Sequence, residues 1–121
     1  MPPPPRWAEI WDVDFGVPIG HEQGKRRPAL VVSSDWFNRT RAELVVVCPL
    51  STTIRPIGTH VRIDPPEGGV DRPSDIMVEH VRSVALDRLT GPAPWGAVSD
   101  EVMDDVLKRL KVLVLLGRRG A

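Results

Sequence analysis

The chain has 121 residues and a mass of 13.4 kDa, enough for one domain and too little for two independent cores. Its 41% hydrophobic residues can build an ordinary core unaided, while a single cysteine, Cys48, excludes an intrachain disulfide and no Cys/His set has zinc-site spacing. Net charge is zero but uneven: His21 to Arg62 carries 7 basic residues against 3 acidic ones and Asp64 to Asp105 carries 3 against 10, so a neutral protein can still steer a polyanion to one face.

Pro2 to Pro5 lack amide donors, so residues 1–6 read as a disordered, proline-rich arm. Residues 7–117 read as one domain and residues 118–121 as a frayed tail. From Ala8 to Phe15, Trp11, Val13 and Phe15 alternate with Asp12 and Asp14, the period of a half-buried strand. Gly16 to Arg27 has glycine, proline and charge without periodicity and reads as a long loop. Pro28 to Ser33 and Glu43 to Cys48 are β-branched runs expected to be strands buried on both faces, with a short helical turn at Asp35 to Arg39 between them. Thr59 to Ile63 alternates again, Val61 and Ile63 facing one way and His60 and Arg62 the other. Read as one strand, Ile76 to Val84 places His80 and Arg82 side by side on one face.

The one long helix expected runs from Asp100 to about Leu116, with Ser99 as N-cap and Gly117 just past its end. Val102, Met103, Val106, Leu107, Leu110, Leu113 and Val114 form its broad apolar stripe. The fold class expected is mainly β, a small, strongly bent sheet or open barrel of five to seven strands closed by a C-terminal helix. The longest apolar run, Val112 to Leu116, is far short of the roughly 20 residues that span a bilayer, and the first six residues hold no apolar signal core. A soluble protein of the reducing cytoplasm is expected.

Phosphate-loop, dinucleotide, CxxC and HExxH patterns are absent from the sequence. Three clusters remain. In HEQGKRRPALVVSS, Lys25, Arg26 and Arg27 precede Pro28, whose fixed φ anchors Arg27 where the loop enters a strand. An anchored guanidinium can bind a phosphate or stabilise a pentacoordinate transition state, and it can equally be one more surface charge. In PLSTTIRP, Ser51, Thr52 and Thr53 follow a buried strand and precede Arg55; hydroxyls there can bond phosphate oxygens or cap the next turn. In EHVRS, Glu79, His80 and Arg82 include a histidine able to exchange protons near neutral pH or to serve structurally.

Taken together, IWDVDFG, GHEQGKRRPALVVSS, FNR, VVVCPLSTTIRPIGTHV and EHVRSV resemble the MazF/PemK family, the ribosome-independent mRNA interferase toxins of bacterial toxin-antitoxin pairs, through nearly the whole chain. The resemblance implies an SH3-like, PemK-type barrel, a homodimer, a cognate antitoxin, and cleavage of single-stranded mRNA with neither metal nor cofactor. It sets Arg27 at the family's catalytic arginine and Ser51 or Thr52 at its hydroxyl position, Ser51 standing where threonine is usual. His80 replaces the glutamine of the family's EQ(I/V)R and is catalytic or base-reading. His21, Glu22, Gln23, Lys25 and Arg26 would frame the RNA groove, with Thr53, Arg55 and Arg82 beside it. The family also commonly has glycine at the position of Ala8 and tryptophan at that of Asp12. The reaction implied is attack of the RNA 2′-hydroxyl on its own phosphate; a gyrase-binding toxin of the CcdB type and a silent RNA-binding module are the alternatives on this fold.

Overall fold

The computed structural model describes residues 4–17, 20 and 25–115. Seven strands form one curled antiparallel sheet: β1 (Glu9–Asp14), β2 (Arg26–Val31), β3 (Leu44–Ser51), β4 (His60–Ile63), β5 (Ser74–Met77), β6 (Arg82–Ala85) and β7 (Gly96–Ala97). Among the described residues, two helices, α1 (Asp35–Asn38) and α2 (Asp100–Leu115), and three short 3-10 turns accompany the sheet. Spatial order is β4-β5-β3-β2-β1-β7, with β6 beside the first half of β3.

The sheet curls around β3, which changes partner along its length. Leu44 to Val47 pair with β6, and Leu50 and Ser51 pair with β5, while β2 runs along the other side. Side chains alternate between two cores. Val45 and Val47 join Trp11, Val13, Phe15, Ala29, Val31 and Val84 on one face. Cys48 and Leu50 join Ile10, Leu30, Val61, Ile76 and the α2 residues Met103 and Val106 on the other. Burial on both faces is what the β-branched runs of β2 and β3 require. Pro49 falls where only β2 lies alongside β3, so a residue without an N–H interrupts no ladder to β5 or β6.

The single strand expected over Ile76 to Val84 is two strands. Along β3 the partners of Val47 and Leu50 are Arg82 and Ile76, so three steps on β3 face six on the neighbour, and the excess is taken up by the turn Val78–His80. His80 and Arg82 therefore do not share a strand face. β2 also begins earlier than expected, taking Arg26 and Arg27 out of the loop and into the ladder opposite Asp14 and Val13.

α2 starts as the sequence indicates: the Ser99 hydroxyl accepts the Val102 N–H at 3.3 Å and Asp100 and Glu101 occupy the first turn. Its stripe is only partly covered, because Met103 and Val106 are buried and Val102 and Leu110 packed beside them, whereas Leu107, Leu113 and Val114 are exposed. Gly117, expected past the helix end, and residues 118–121 lie outside the described residues. Of the proline-rich arm, residues 4–6 are described; Pro5 is buried and its carbonyl accepts from Asn38 Nδ2 at 3.1 Å, while the Trp7 N–H donates to Asp35 at 2.7 Å. Ala8 has φ +75°, a left-handed value that glycine adopts more readily than a residue with a Cβ.

Gly68 and Gly69, both left-handed at φ +62° and +83°, let the turn Glu67–Gly69 press against β7; a Cβ on Gly69 would collide with the Trp95 carbonyl. Gly69→Ala is expected to lower unfolding stability by about 2 kcal/mol or more, since strained φ and backbone overlap add. Gly58→Ala, with open space around it, serves as control. Equal urea midpoints for the two variants would refute this.

Candidate active-site cleft

Continuing the β2–β3 register by two residues from Ala29 and Pro49 sets Arg27 opposite Ser51. There the two strands end together, and a cleft of about 290 Å³ opens, lined by Arg27, Pro28, Leu50, Ser51, Thr52, Thr53 and Ser74. Arg27 Nη1 reaches the Leu50 carbonyl at 3.4 Å, and its Nε is buried with no hydrogen-bond partner among the described residues. A desolvated donor left unpaired costs about 1–3 kcal/mol, so the guanidinium is held in place by its strand and retains capacity for an anion. The Ser51 hydroxyl accepts the Thr53 N–H at 3.1 Å, which caps the turn and leaves its own proton free to donate. Capping and phosphate binding, alternatives in the sequence, are compatible in one hydroxyl.

The other expected site residues are dispersed. Lys25, with φ +64°, closes the β1–β2 hairpin through its backbone to Phe15 and Gly16, and Lys25 and Arg26 are exposed at the foot of β2. Arg55 is exposed on the segment after Thr53, its backbone N–H bonded to Asp75 at 2.8 Å. His80 ends the turn Val78–His80 and does not line the cleft; its Nε2 is 3.8 Å from Glu79 Oε2. Arg82 starts β6, its guanidinium 5.6 Å from the Phe15 ring centroid. His21, Glu22 and Gln23 lie outside the described residues. The basic surplus of His21 to Arg62 is also divided: Lys25 precedes β2 and Arg26 and Arg27 begin it, whereas Arg39 and Arg41 follow α1 at the opposite end of the β2–β3 pair. A larger groove of about 490 Å³, lined by Pro5, Trp11, Leu86, Leu89 and Pro92 with Glu43 and Asp87, is apolar and acidic and unsuited to phosphate.

Period-two reading turned His60 toward solvent, yet its side chain is 5% exposed. His60 Nδ1 lies 3.0 Å from Asp75 Oδ2 and Nε2 lies 2.6 Å from Glu79 Oε2, while Thr59 Oγ1 donates to Glu79 Oε1 at 2.8 Å. The Arg55 N–H, in the segment Thr52 to Gly58, reaches the same Asp75 oxygen at 2.8 Å, a contact no local pattern signals. Burial alone would raise the Glu79 carboxyl, but its hydrogen bonds from Thr59, its own N–H and His60, with the charge of His60, outweigh that and hold it below the ordinary carboxylate value. Burial foremost, with the Glu79 charge, pushes the Cys48 thiol up to about 12, so Cys48 is an unreactive core residue.

Residues 6–114 match the family described as PemK-like, MazF-like toxin of type II toxin-antitoxin system. The chain belongs to this family. It is similar to Endoribonuclease EndoA of Bacillus subtilis, 32% identical over 111 residues that cover 90% of this chain and 93% of that protein. Its fold is similar to that of MazF from Deinococcus radiodurans, with a TM-score of 0.79 at 25% identity over 91% of this chain and 96% of the other. It also resembles in fold an endoribonuclease solved in complex with its cognate antitoxin from a mycobacterial species, with a TM-score of 0.70 at 23% identity over 89% and 92% of the two chains.

Because the Glu79 carboxyl is lowered in the native state, the unfolded chain binds its proton more readily. The stability this supplies is complete above the ordinary value of 4.5 and is lost as pH falls below it through the native value. The gap in urea midpoint between wild type and Glu79→Gln is expected to be widest above about pH 5 and to narrow progressively as pH falls below 4.5. A gap independent of pH would show that Glu79 contributes packing alone.

Proposed function

We propose that this protein is the toxin of a toxin-antitoxin pair, an endoribonuclease that cuts single-stranded mRNA in the cytoplasm at a defined sequence, independently of the ribosome. The observation that carries the reading is the meeting of Arg27 with the hydroxyls of Ser51, Thr52 and Thr53 at the shared end of β2 and β3. A fixed guanidinium beside hydroxyl donors suits a phosphate whose charge grows in the transition state.

In the reaction proposed, the 2′-oxygen of a splayed nucleotide attacks its own phosphorus. The 2′-O–P bond forms and the P–O5′ bond breaks, leaving a 2′,3′-cyclic phosphate and a 5′-hydroxyl. One proton leaves the 2′-hydroxyl and one reaches the departing 5′-oxygen. Arg27 neutralises the phosphorane and the Ser51 or Thr52 hydroxyl donates to a non-bridging oxygen. His80, outside the lining of the cleft, is better placed to read a base than to move a proton. Lys25, Arg26, Arg55 and Arg82 hold backbone phosphates, and His21, Glu22, Gln23 and Thr53 contact the flanking nucleotides. No step requires a metal or cofactor.

Arg27→Ala is expected to slow single-turnover cleavage about a hundred- to a thousandfold, whereas Lys25→Ala weakens RNA binding and lowers its salt sensitivity. Ser51→Ala should be slower than Thr53→Ala; a Thr52→Ala slower than both assigns the hydroxyl role to Thr52. His80→Gln should keep its rate and pH profile while changing the bases that flank the cut. Cleavage should persist in EDTA, with cyclic phosphate ends. DNA cut at a comparable rate, or 3′-hydroxyl ends, would refute the mechanism.

The protein works as a homodimer with the RNA groove across the interface, where an acidic, flexible antitoxin segment competes with RNA. Supporting this are the exposed apolar residues of α2, Leu107 and Val112 to Leu115, with Ile54 and Ile57, a surface one small barrel leaves uncovered. Light scattering at micromolar concentration should give twice the chain mass, and Val114→Asp should shift it toward the monomer. A monomeric wild type would overturn the dimer.

A further inference from the structure

We infer that the buried pair His60 and Asp75 positions the catalytic cleft, holding the hydroxyl-bearing segment after β3 in place against Arg27. The inference rests on the ribonuclease reading of that cleft. Asp75 lies on β5, whose four residues are all buried, and its side chain is 2% exposed. A carboxylate there is costly unless its oxygens are occupied. Asp75 Oδ2 accepts two hydrogen bonds, from His60 Nδ1 and from the Arg55 N–H.

The second of these bonds connects the network to the cleft. Asp75 stands directly opposite Ser51 in the β3–β5 ladder. Beyond Ser51 the chain leaves the sheet, and residues 52 to 58 are exposed and irregular. Among the described residues, the Arg55 N–H to Asp75 is the one hydrogen bond that ties residues 52 to 56 to a distant part of the chain. Thr52 and Thr53 are thus suspended between Ser51 in the ladder and Arg55 on Asp75. His60 fixes the carboxylate, and Glu79, braced by Thr59, fixes the far side of the ring. Glu79 also adjoins His80, so one network holds both the hydroxyl segment and the turn that carries His80. Neither His60 nor Asp75 lines the cleft. Both are positioning residues.

The test compares wild type, Asp75→Ala, Asp75→Asn, which keeps one acceptor, and His60→Gln, which can satisfy one carboxylate but not both. Amide exchange over residues 52 to 57 is expected to quicken about tenfold in Asp75→Ala and His60→Gln, with β1 and α2 unchanged, and to be partly restored in Asp75→Asn. Single-turnover cleavage of single-stranded RNA at saturation should fall about ten- to a hundredfold while Kd for that RNA, which Thr53 and Arg55 share with other groups, rises by much less, about threefold or under, the signature of misplacement. Unchanged exchange over 52 to 57, or exchange that rises throughout the molecule, overturns the inference. So does faster exchange with an undiminished rate. Should Asp75→Ala not fold, His60→Gln and Asp75→Asn decide it alone. A wild type that leaves RNA uncut overturns the ribonuclease reading and the link to cleavage with it, whereas the anchoring of the segment is judged by exchange.

Discussion

The antiparallel ladder that sets Ala29, Leu30 and Val31 against Pro49, Cys48 and Val47 determines where the site falls, because the cleft opens where β2 and β3 end together at Arg27 and Ser51. A slip of one residue would turn every side chain of β2 to the wrong face. Ala29, Leu30, Val31, Val47 and Cys48 are all 0% exposed, and burying an aliphatic side chain of this kind is worth about 1.5–3 kcal/mol. An unpaired buried donor on Arg27 costs no more than one such residue gains, about 1–3 kcal/mol. The core therefore fixes the register, and the cost of one unsatisfied donor on Arg27 is tolerated.

Charge acts locally in this protein. With a net charge of zero, and with Arg39 and Arg41 at the other end of the β2–β3 pair from Arg27, no single basic face collects the surplus of the first half. Screening over about 8 Å in physiological salt confines each charge to its neighbours. Among the described residues, Arg27 is the cation that lines the cleft, and the hydrogen bonds joining His60 to Asp75 and Glu79 lie apart from it. Arg27 at the cleft and the His60, Asp75 and Glu79 network are thus distinct groups, separated by β3.

Much of this was legible in the residue pattern. Trp11, Val13 and Phe15 are buried as their alternation indicates, β2 and β3 are buried on both faces, and Ser99 caps the helix. Arg27 lines one cleft with Ser51, Thr52 and Thr53, which lie well beyond it in sequence, and their chemical roles rest on the proposal. Other features escaped for physical reasons. A period-two reading assumes an unbroken strand, so it joined Ile76 to Val84 and could not register the turn that separates His80 from Arg82. His60 alternates outward on its own strand and is buried against Asp75 of β5 and Glu79 of the following turn. Asp75 is one acid in an acidic stretch until its partners from other strands are in place. β7, two residues long, has no periodicity to read.

A double-substitution cycle tests the central relation, that Arg27 and the strand-end hydroxyl act together on one phosphate. Single-turnover RNA cleavage would be measured for wild type, Arg27→Ala, Ser51→Ala and the double variant, with circular dichroism confirming that each is folded. If both groups bind the same transition state, the double variant should be little slower than Arg27→Ala alone, a coupling of about 1 kcal/mol or more. Strictly additive losses, or a wild-type protein that leaves single-stranded RNA intact, would contradict the account.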